Sequence, residues 1–321
     1  MLGIEHPIIM GGMAWVGLAE LVAAVSNAGG MGIIGSVNFA TGEELRQEIH
    51  KTRTLTDKPF GVNITLLPAV HESPYEEFVN VVVEEGVPVV ETSGRPPEQY
   101  MERLKKANVK VIHKVGAVRH ARSAERMGCD AVFTLGFEGA GHPMMEDVTM
   151  LNLLPRMVDA VKIPVIACGG IADARQFVAA LAMGAEGVMM GTRFMLTKES
   201  SAHSNIKKAL AEAKENDTMI IQRSIGTQTR VLRNKPAEKV LEMEGRGASL
   251  EELLTVISGE LGRNAMLAGD VDGGVLGCGQ GIGLMNEVPT VKEVIDNMVN
   301  EAAALLKDLC SRWPLPTTLG K

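Results

Sequence analysis

The apolar run Ala131-Val-Phe-Thr-Leu-Gly-Phe137 leads straight into a glycine-rich loop, Glu138-Gly-Ala-Gly-His142-Pro143. Glycine allows backbone to approach a ligand closely, and an imidazole fixed beside such an approach exchanges protons near neutral pH. The loop therefore points to redox or acid–base chemistry on a small molecule, with His142 as the proton-handling group. Two more loops have a composition suited to binding. Ile166-Ala-Cys-Gly-Gly-Ile-Ala-Asp173 and Met189-Met-Gly-Thr-Arg-Phe194 each end an apolar run. The backbone N–H groups of Gly169, Gly170 and Ile171, together with those of Gly191 and Thr192, can converge on a phosphate. The helices that follow add a favourable dipole there. A phosphate-bearing cofactor is the natural occupant.

The elements that must hold these loops repeat. Short runs rich in Val, Ile and Met recur at Pro7–Met10, Met31–Ser36, Phe60–Leu66, Val87–Ser93, Lys110–Val115, Ala131–Phe137, Pro164–Gly170 and Gly187–Phe194. Each is followed by a polar, helix-like segment, the pattern of parallel strands buried on both faces. Eight such units predict an α/β fold of the TIM (β/α)8 barrel type, whose ligand site lies at the C-terminal ends of the strands. Helices are expected over Gly17–Ala28, over Thr41–Arg53 with Thr41 as cap and Glu44 three residues on, and over Asp173–Met183 behind an aspartate cap.

The chain has 321 residues, against ~250 for such a barrel, so roughly 70 are left for an extra element. After the helix-like Ala202–Glu215, alternation breaks. Met219 to Gly274 carries scattered arginines, two helix-like stretches (Pro236–Glu244 and Leu250–Ser258) and no strong strand, which predicts a small helical insertion after the eighth strand. The domain division expected is 1–218 with 275–321 for the barrel and 219–274 for the cap. Val291–Leu309 reads as a long amphipathic helix returning to the barrel, with Val294, Met298, Ala302 and Leu305 on one face. The tail from Trp313, with its two prolines, is expected to be loose.

A formal charge of −7 without any lysine/arginine block argues against nucleic acid or an anionic membrane surface as partner. No apolar run is long enough to span a bilayer, and the first strand starts almost at once, so a cytoplasmic protein acting on a small molecule is expected. Cys129, Cys168, Cys278 and Cys310 lack metal-ligand spacing, which predicts reduced thiols, no disulfide and no metal. The oligomeric state is open. The nineteen methionines read as core filler more readily than as a pocket lining.

Ordered along the whole chain, these segments resemble the FMN-dependent nitronate monooxygenase (2-nitropropane dioxygenase) superfamily, which also holds NADH:quinone reductases and flavin-type enoyl-acyl-carrier-protein reductases. The matches are Gly11-Gly-Met13, Ala24 to Gly32, Pro59-Phe-Gly-Val-Asn63 with Leu66-Leu-Pro68, Val89 to Gly94, Val111-Ile-His-Lys114 with Val118-Arg-His-Ala121, Gly136 to Pro143, and Met190 to Phe194. The set is most similar to the NADH:quinone reductase subgroup. The resemblance implies FMN, held by Gly11, Gly12, Met13, Asn63, Lys114, Gly139, Ala140, Gly169, Gly170, Gly191, Thr192 and Gln280. It also implies His142 as acid–base residue and Lys114 as the cation near the edge of the flavin where negative charge gathers on reduction. Three departures bear on the substrate. Met10 replaces a glutamine common in relatives, Gly139 replaces the subgroup's cysteine, and Met144-Met145 replaces a small residue.

The activity implied is NAD(P)H-dependent, two-electron reduction of a quinone-like acceptor, with NADH or NADPH as co-substrate and Leu66-Leu-Pro68 bordering the nicotinamide. The alternatives are nitronate oxidation by oxygen, enoyl-thioester reduction, for which no basic entrance cluster is evident, and a non-enzymatic flavin-binding regulator.

Overall fold

The computed structural model of the protein describes residues 1–66, 73–143 and 145–313. Leu67, Pro68, His71, Met144 and the tail beyond Trp313 lie outside the described residues. Eight parallel strands close into a barrel: β1 (Ile8–Met10), β2 (Met31–Gly35), β3 (Gly61–Leu66), β4 (Val89–Gly94), β5 (Lys110–Val115), β6 (Ala131–Leu135), β7 (Val165–Cys168) and β8 (Gly187–Met190). Every expected strand is present. The strands β6, β7 and β8 are trimmed at their C-terminal ends, because their glycine-rich tails leave the ladder to form loops, while β2 ends one residue early and β4 runs one residue further.

Around the barrel run α1 (Ala19–Asn27), α2 (Gly42–Leu55), α3 (Tyr75–Glu84), α4 (Glu98–Lys106), α5 (Val118–Met127), α6 (Met150–Val158), α7 (Ala174–Ala182), the short α8 (Thr192–Met195) and α9 (Ser204–Glu212). The expected caps form. Thr41 accepts from the Glu44 N–H at 3.2 Å while Glu44 reaches back to Ala40, and Asp173 accepts from Arg175 at 2.9 Å. His203 caps α9 by accepting from the Asn205 N–H. His50 is exposed and pairs with Glu85.

Strand parity sorts the side chains into two layers. One set, including Ile9, Met31, Ile33, Val89, Ile112, Phe133, Ile166, Cys168 and Met189, fills the barrel interior, with Leu2 and Ile4 packed against it. The other set, including Ile8, Met10, Val62, Ile64, Val90, Val111, Val132 and Val188, faces the helices. Met10 belongs to this outer layer. Its side chain packs in the apolar layer between strands and helices.

The segment after α9 differs from the all-helical insertion that the sequence suggests. An antiparallel pair, β9 (Thr218–Ile221) and β10 (Thr229–Leu232), precedes α10 (Lys235–Gly245), α11 (Leu250–Ile257) and α12 (Gly259–Ala268). The elements β9, β10, α10 and α11 share their own apolar cluster of Met219, Ile221, Val231, Val240, Met243 and Leu253, whereas Ala265 and Met266 of α12 belong with Ile206 and Leu210 of α9. Two four-residue strands that mix Thr and Arg with Ile and Val are too short to stand out by periodicity. From there α13 (Val291–Arg312), opened by a Thr290/Glu293 capping box, returns with Val294, Met298 and Ala302 buried and Leu305 packed beside them.

Candidate active site

The groups singled out from the sequence gather at the C-terminal ends of the strands, and parity explains which of them point inward. In β3, Val62 and Ile64 face the helices, which leaves Asn63 for the interior. Asn63 lies opposite Glu91 of β4 in the strand register. One strand further, Lys114 of β5 extends its Nζ to Glu91 Oε1 at 2.6 Å. The other Glu91 oxygen, Oε2, accepts the Gly12 N–H at 2.9 Å. Glu91 is fully buried and ties the loop after β1 to Lys114.

Glu91 was not among the residues picked from the sequence, although a lone carboxylate inside the apolar run Val89-Val-Glu-Thr-Ser93 is a usable signal. It changes the part Lys114 can play. Burial by itself lowers an ammonium pKa, but the Glu91 carboxylate, with a lesser contribution from Cys168, overcomes this and holds Lys114 above its ordinary value. Lys114 is therefore charged, but as half of an ion pair. Cys168 lies in the same interior layer, its thiol pushed up to about 11 by burial, and is inert as a nucleophile at neutral pH. His113, one residue earlier, faces the opposite way. There it bonds Thr92 Oγ1 through Nδ1 at 2.9 Å, and burial, then the neighbouring His120, lowers it to about 4.

Of the glycines expected to line a cofactor, Gly12 is already required by protein packing, whereas at Gly11 only the flexible end of Met189 stands in the way. A Cβ on Gly11 would stand 2.0 Å from the Met189 side chain, and one on Gly12 would stand 2.2 Å from Asn63 Cβ. Gly191 differs, because a Cβ there would meet only Met13 Sδ, at 3.5 Å. It borders open space at the end of β8, beside Met13.

The remaining loops meet around that point. Gly169 and Gly170 both have left-handed backbone, with φ of 109° and 72°, which only glycine adopts readily. Gly139 packs against Gly169, and a Cβ on Gly139 would lie 2.4 Å from Leu135 Cδ1. A side chain at this position would need Leu135 to move. Thr192 Oγ1 accepts from Gly279 N at 3.1 Å, and Gln280 N donates to Glu138 O at 2.9 Å. Gly281 lies against Gly170, so the segment after the insertion is threaded between the loops of β6, β7 and β8. Gly139, Ala140, Gly170, Gly191, Thr192 and Gln280 are thus neighbours. Backbone-rich walls next to open space at Gly191 fit a phosphate that needs close approach and N–H donors.

His142 stands exposed at the mouth and makes no hydrogen bond through its ring to any described residue. The protein packed around it, and then the charge of Lys114, lower its pKa below that of an ordinary imidazole. It is neutral at pH 7, able to donate through one ring nitrogen and accept through the other. Among the described residues no cluster of side chains is arranged to hold a metal ion. Among the described residues no helix is long and apolar enough to cross a membrane.

Comparison with known proteins adds the following. The family model for nitronate monooxygenase matches residues 1–301. The (3aS,4S,5R,7aS)-5-hydroxy-7a-methyl-1-oxo-octahydro-1H-indene-4-carboxyl-CoA dehydrogenase of Rhodococcus jostii is 36% identical, with 94% of each chain covered. Among solved structures, FabK from Thermotoga maritima is 42% identical at a TM-score of 0.91, with 97% of both chains covered. Nitroalkane oxidase from Streptomyces ansochromogenes is 29% identical at a TM-score of 0.84, covering 96% of this chain and 98% of that one. These likenesses support a flavin cofactor.

Proposed function

Because the chain belongs to the nitronate monooxygenase family, we propose that it is an FMN-dependent enzyme that uses NADH or NADPH to reduce a neutral, conjugated carbonyl acceptor of the quinone-like class. The observation that carries this reading is the charge balance at the strand ends. Lys114 arrives with Glu91 as its counter-ion, and His142 is neutral at pH 7. An anionic nitronate would find no unpaired cation in either group, whereas a neutral acceptor needs only a hydrogen-bond donor.

In this reading Gly170, Gly191 and Thr192 would take the cofactor phosphate through backbone N–H groups. Gly139, Ala140 and Gln280 would flank it, and Gly11, Gly12, Met13 and Asn63 would border the ring. When bound, the flavin supplies two-electron transfer between nicotinamide and acceptor. His142 would orient the acceptor by donating from one ring nitrogen of its neutral imidazole, and would pass on the proton that balances the negative charge formed on the carbonyl oxygen while taking up another from water at the opposite nitrogen, so that the ring ends neutral. Lys114, steadied by Glu91, would offset charge gained on the ring side without leaving a bare cation in a buried site.

A second reading has its own support. The Rhodococcus relative is named for a carboxyl-CoA substrate, and FabK is an enoyl reductase. An enoyl thioester is also a neutral conjugated carbonyl, and the same imidazole would serve it.

The test is anaerobic. NADH, NADPH or an alkyl nitronate is added to the flavin-loaded protein, and loss of the yellow absorbance is followed. The reduced protein is then offered a benzoquinone or an enoyl-CoA. Bleaching by a reduced nicotinamide with rapid return of colour on the quinone is expected; return on the enoyl-CoA alone selects the second reading. Bleaching by the nitronate alone would overturn both.

A further inference from the structure

His142 has no ring partner among the described residues, so its direction is set by the backbone on either side of it. Both sides are held by the inserted hairpin. Arg230 of β10 exchanges backbone hydrogen bonds with Gly141, at 2.8 Å from Arg230 N to Gly141 O and 3.4 Å in return. Its side chain goes back to the start of the same loop. Nε donates to Phe137 O at 3.0 Å, and the guanidinium lies 4.5 Å from the centre of the Phe137 ring. On the far side of His142, the Gln228 amide donates to Pro143 O at 3.2 Å and to Asp147 Oδ1 at 3.3 Å. Asp147 in turn pairs with Arg223 at 2.9 Å.

Resting on the reading of His142 as the acid–base group, we propose that Arg230 is its positioning residue, clamping the loop at Phe137 and Gly141 while Gln228 clamps it at Pro143. The nature of Arg230's partners supports this. The side chain is 3% exposed, and among the described residues no carboxylate forms an ion pair with it. Its other side-chain contact is Nη1 to Thr218 Oγ1 at 3.0 Å. A buried guanidinium whose hydrogen-bond partners are all neutral is costly: burial lowers its pKa, and the carboxylates of Glu138 and Asp147, near it without pairing with it, offset this only in part. An apolar side chain would fill the same volume at less cost. What it could not do is bond a carbonyl of one loop and a hydroxyl of β9 at once with a rigid planar fork. The same β10 backbone also accepts from Cys278 N, so one strand sets the spacing between the His142 loop and the Gly277–Gly281 segment that carries Gln280.

The test uses the full-length, flavin-loaded protein and its Arg230→Met and Gln228→Leu variants. Three quantities are read: flavin content, the titration of the His142 ring by NMR, assigned against His142→Gln, and the rates of the two half-reactions. With Arg230→Met, flavin content and reduction by the nicotinamide are expected to hold. The His142 titration should move up toward the ordinary imidazole value as the loop shifts away from Lys114 and the protein packed beside it. Reoxidation by the acceptor should slow by about 10-fold to 10²-fold, the range for a misplaced reacting group. Gln228→Leu should do the same to a smaller degree, and it keeps the test available if Arg230→Met does not accumulate. A merely structural role would lower thermal stability without moving the His142 titration. If both variants titrate and reoxidise within about twofold of the parent, the positioning role is wrong. If His142→Gln itself leaves both half-reactions unchanged, the acid–base reading fails instead, and the ring titration of Arg230→Met still judges the clamp.

Discussion

The barrel interior and the rim above it are built on different principles. Inside, Asn63, Glu91, Lys114 and Cys168 sit on strands, so their directions follow from parity and their neighbours from register. Lys114 there is matched by a carboxylate at 2.6 Å. At the rim, His142, Gly170 and Gln280 hang from loops, and the buried cation behind the His142 loop, Arg230, hydrogen-bonds a carbonyl and a hydroxyl and lies against an aromatic face. The interior gains its rigidity from the sheet. The rim borrows its rigidity from an element inserted far along the chain. Loss of an interior group should therefore cost stability first, and loss of a rim group should cost function first.

The largest expected effect tests the rim. His142→Ala should slow reoxidation by the acceptor by about 10²–10⁴-fold, the range for losing a general acid–base group. Stopped-flow measurement should find flavin reduction by nicotinamide much less affected, and the melting temperature close to the parent's, because the ring is exposed and unbonded. A large fall in stability would break the contrast. In the interior, Lys114→Met strands a fully buried carboxylate and should destabilise the protein by about 3–5 kcal/mol in denaturant titration. The flavin potential should fall as well, since Glu91 then adds uncompensated negative charge beside the ring. Pairing that change with Glu91→Gln should recover much of the stability, and absence of recovery would show that the two groups are not coupled.

A third measurement probes the outer layer that parity assigns to His113. Its pKa is about 4 when folded against an ordinary 6.5, so the unfolded chain binds the extra proton as pH falls between those values. Stability should decline across that window by about 3 kcal/mol, and His113→Asn should flatten the profile. The smallest effect concerns the cap below the Gly169–Gly170 loop. Asp173→Ala removes the acceptor for Arg175 N and Gln176 N and should cost about 1 kcal/mol. Flavin content should change little, because Gly170 is also held through its carbonyl by Gln176.

Much of this was legible in the chain itself, because strand and helix periods are local. Eight apolar runs with glycine-rich tails gave the barrel, the caps at Thr41 and Asp173, and the end of the barrel at which His142, Gly170 and Thr192 would assemble. Asn63 and Lys114 could be picked out by resemblance, and parity alone separated Lys114 from His113. Glu91 was within reach too, since a carboxylate in an apolar strand demands a partner, but only the strand register identifies Lys114 as that partner.

The sequence by itself determined what repeats: the strand–helix alternation, the inward or outward sense of each strand residue, and the glycines that a left-handed turn at Gly169 and Gly170 requires. Tertiary structure decided what meets across long separations in the chain. It brought Arg230 and Gln228 to the His142 loop and set Gln280 against Glu138. The short strands β9 and β10 carry too few residues for a periodic signal, and their pairing with Gly141 depends on a chain reversal that no local pattern encodes. Charge neutrality was likewise decided only in the fold, because whether a lysine is a free cation or half of an ion pair depends on distance to its partner, and that distance is a property of the closed barrel.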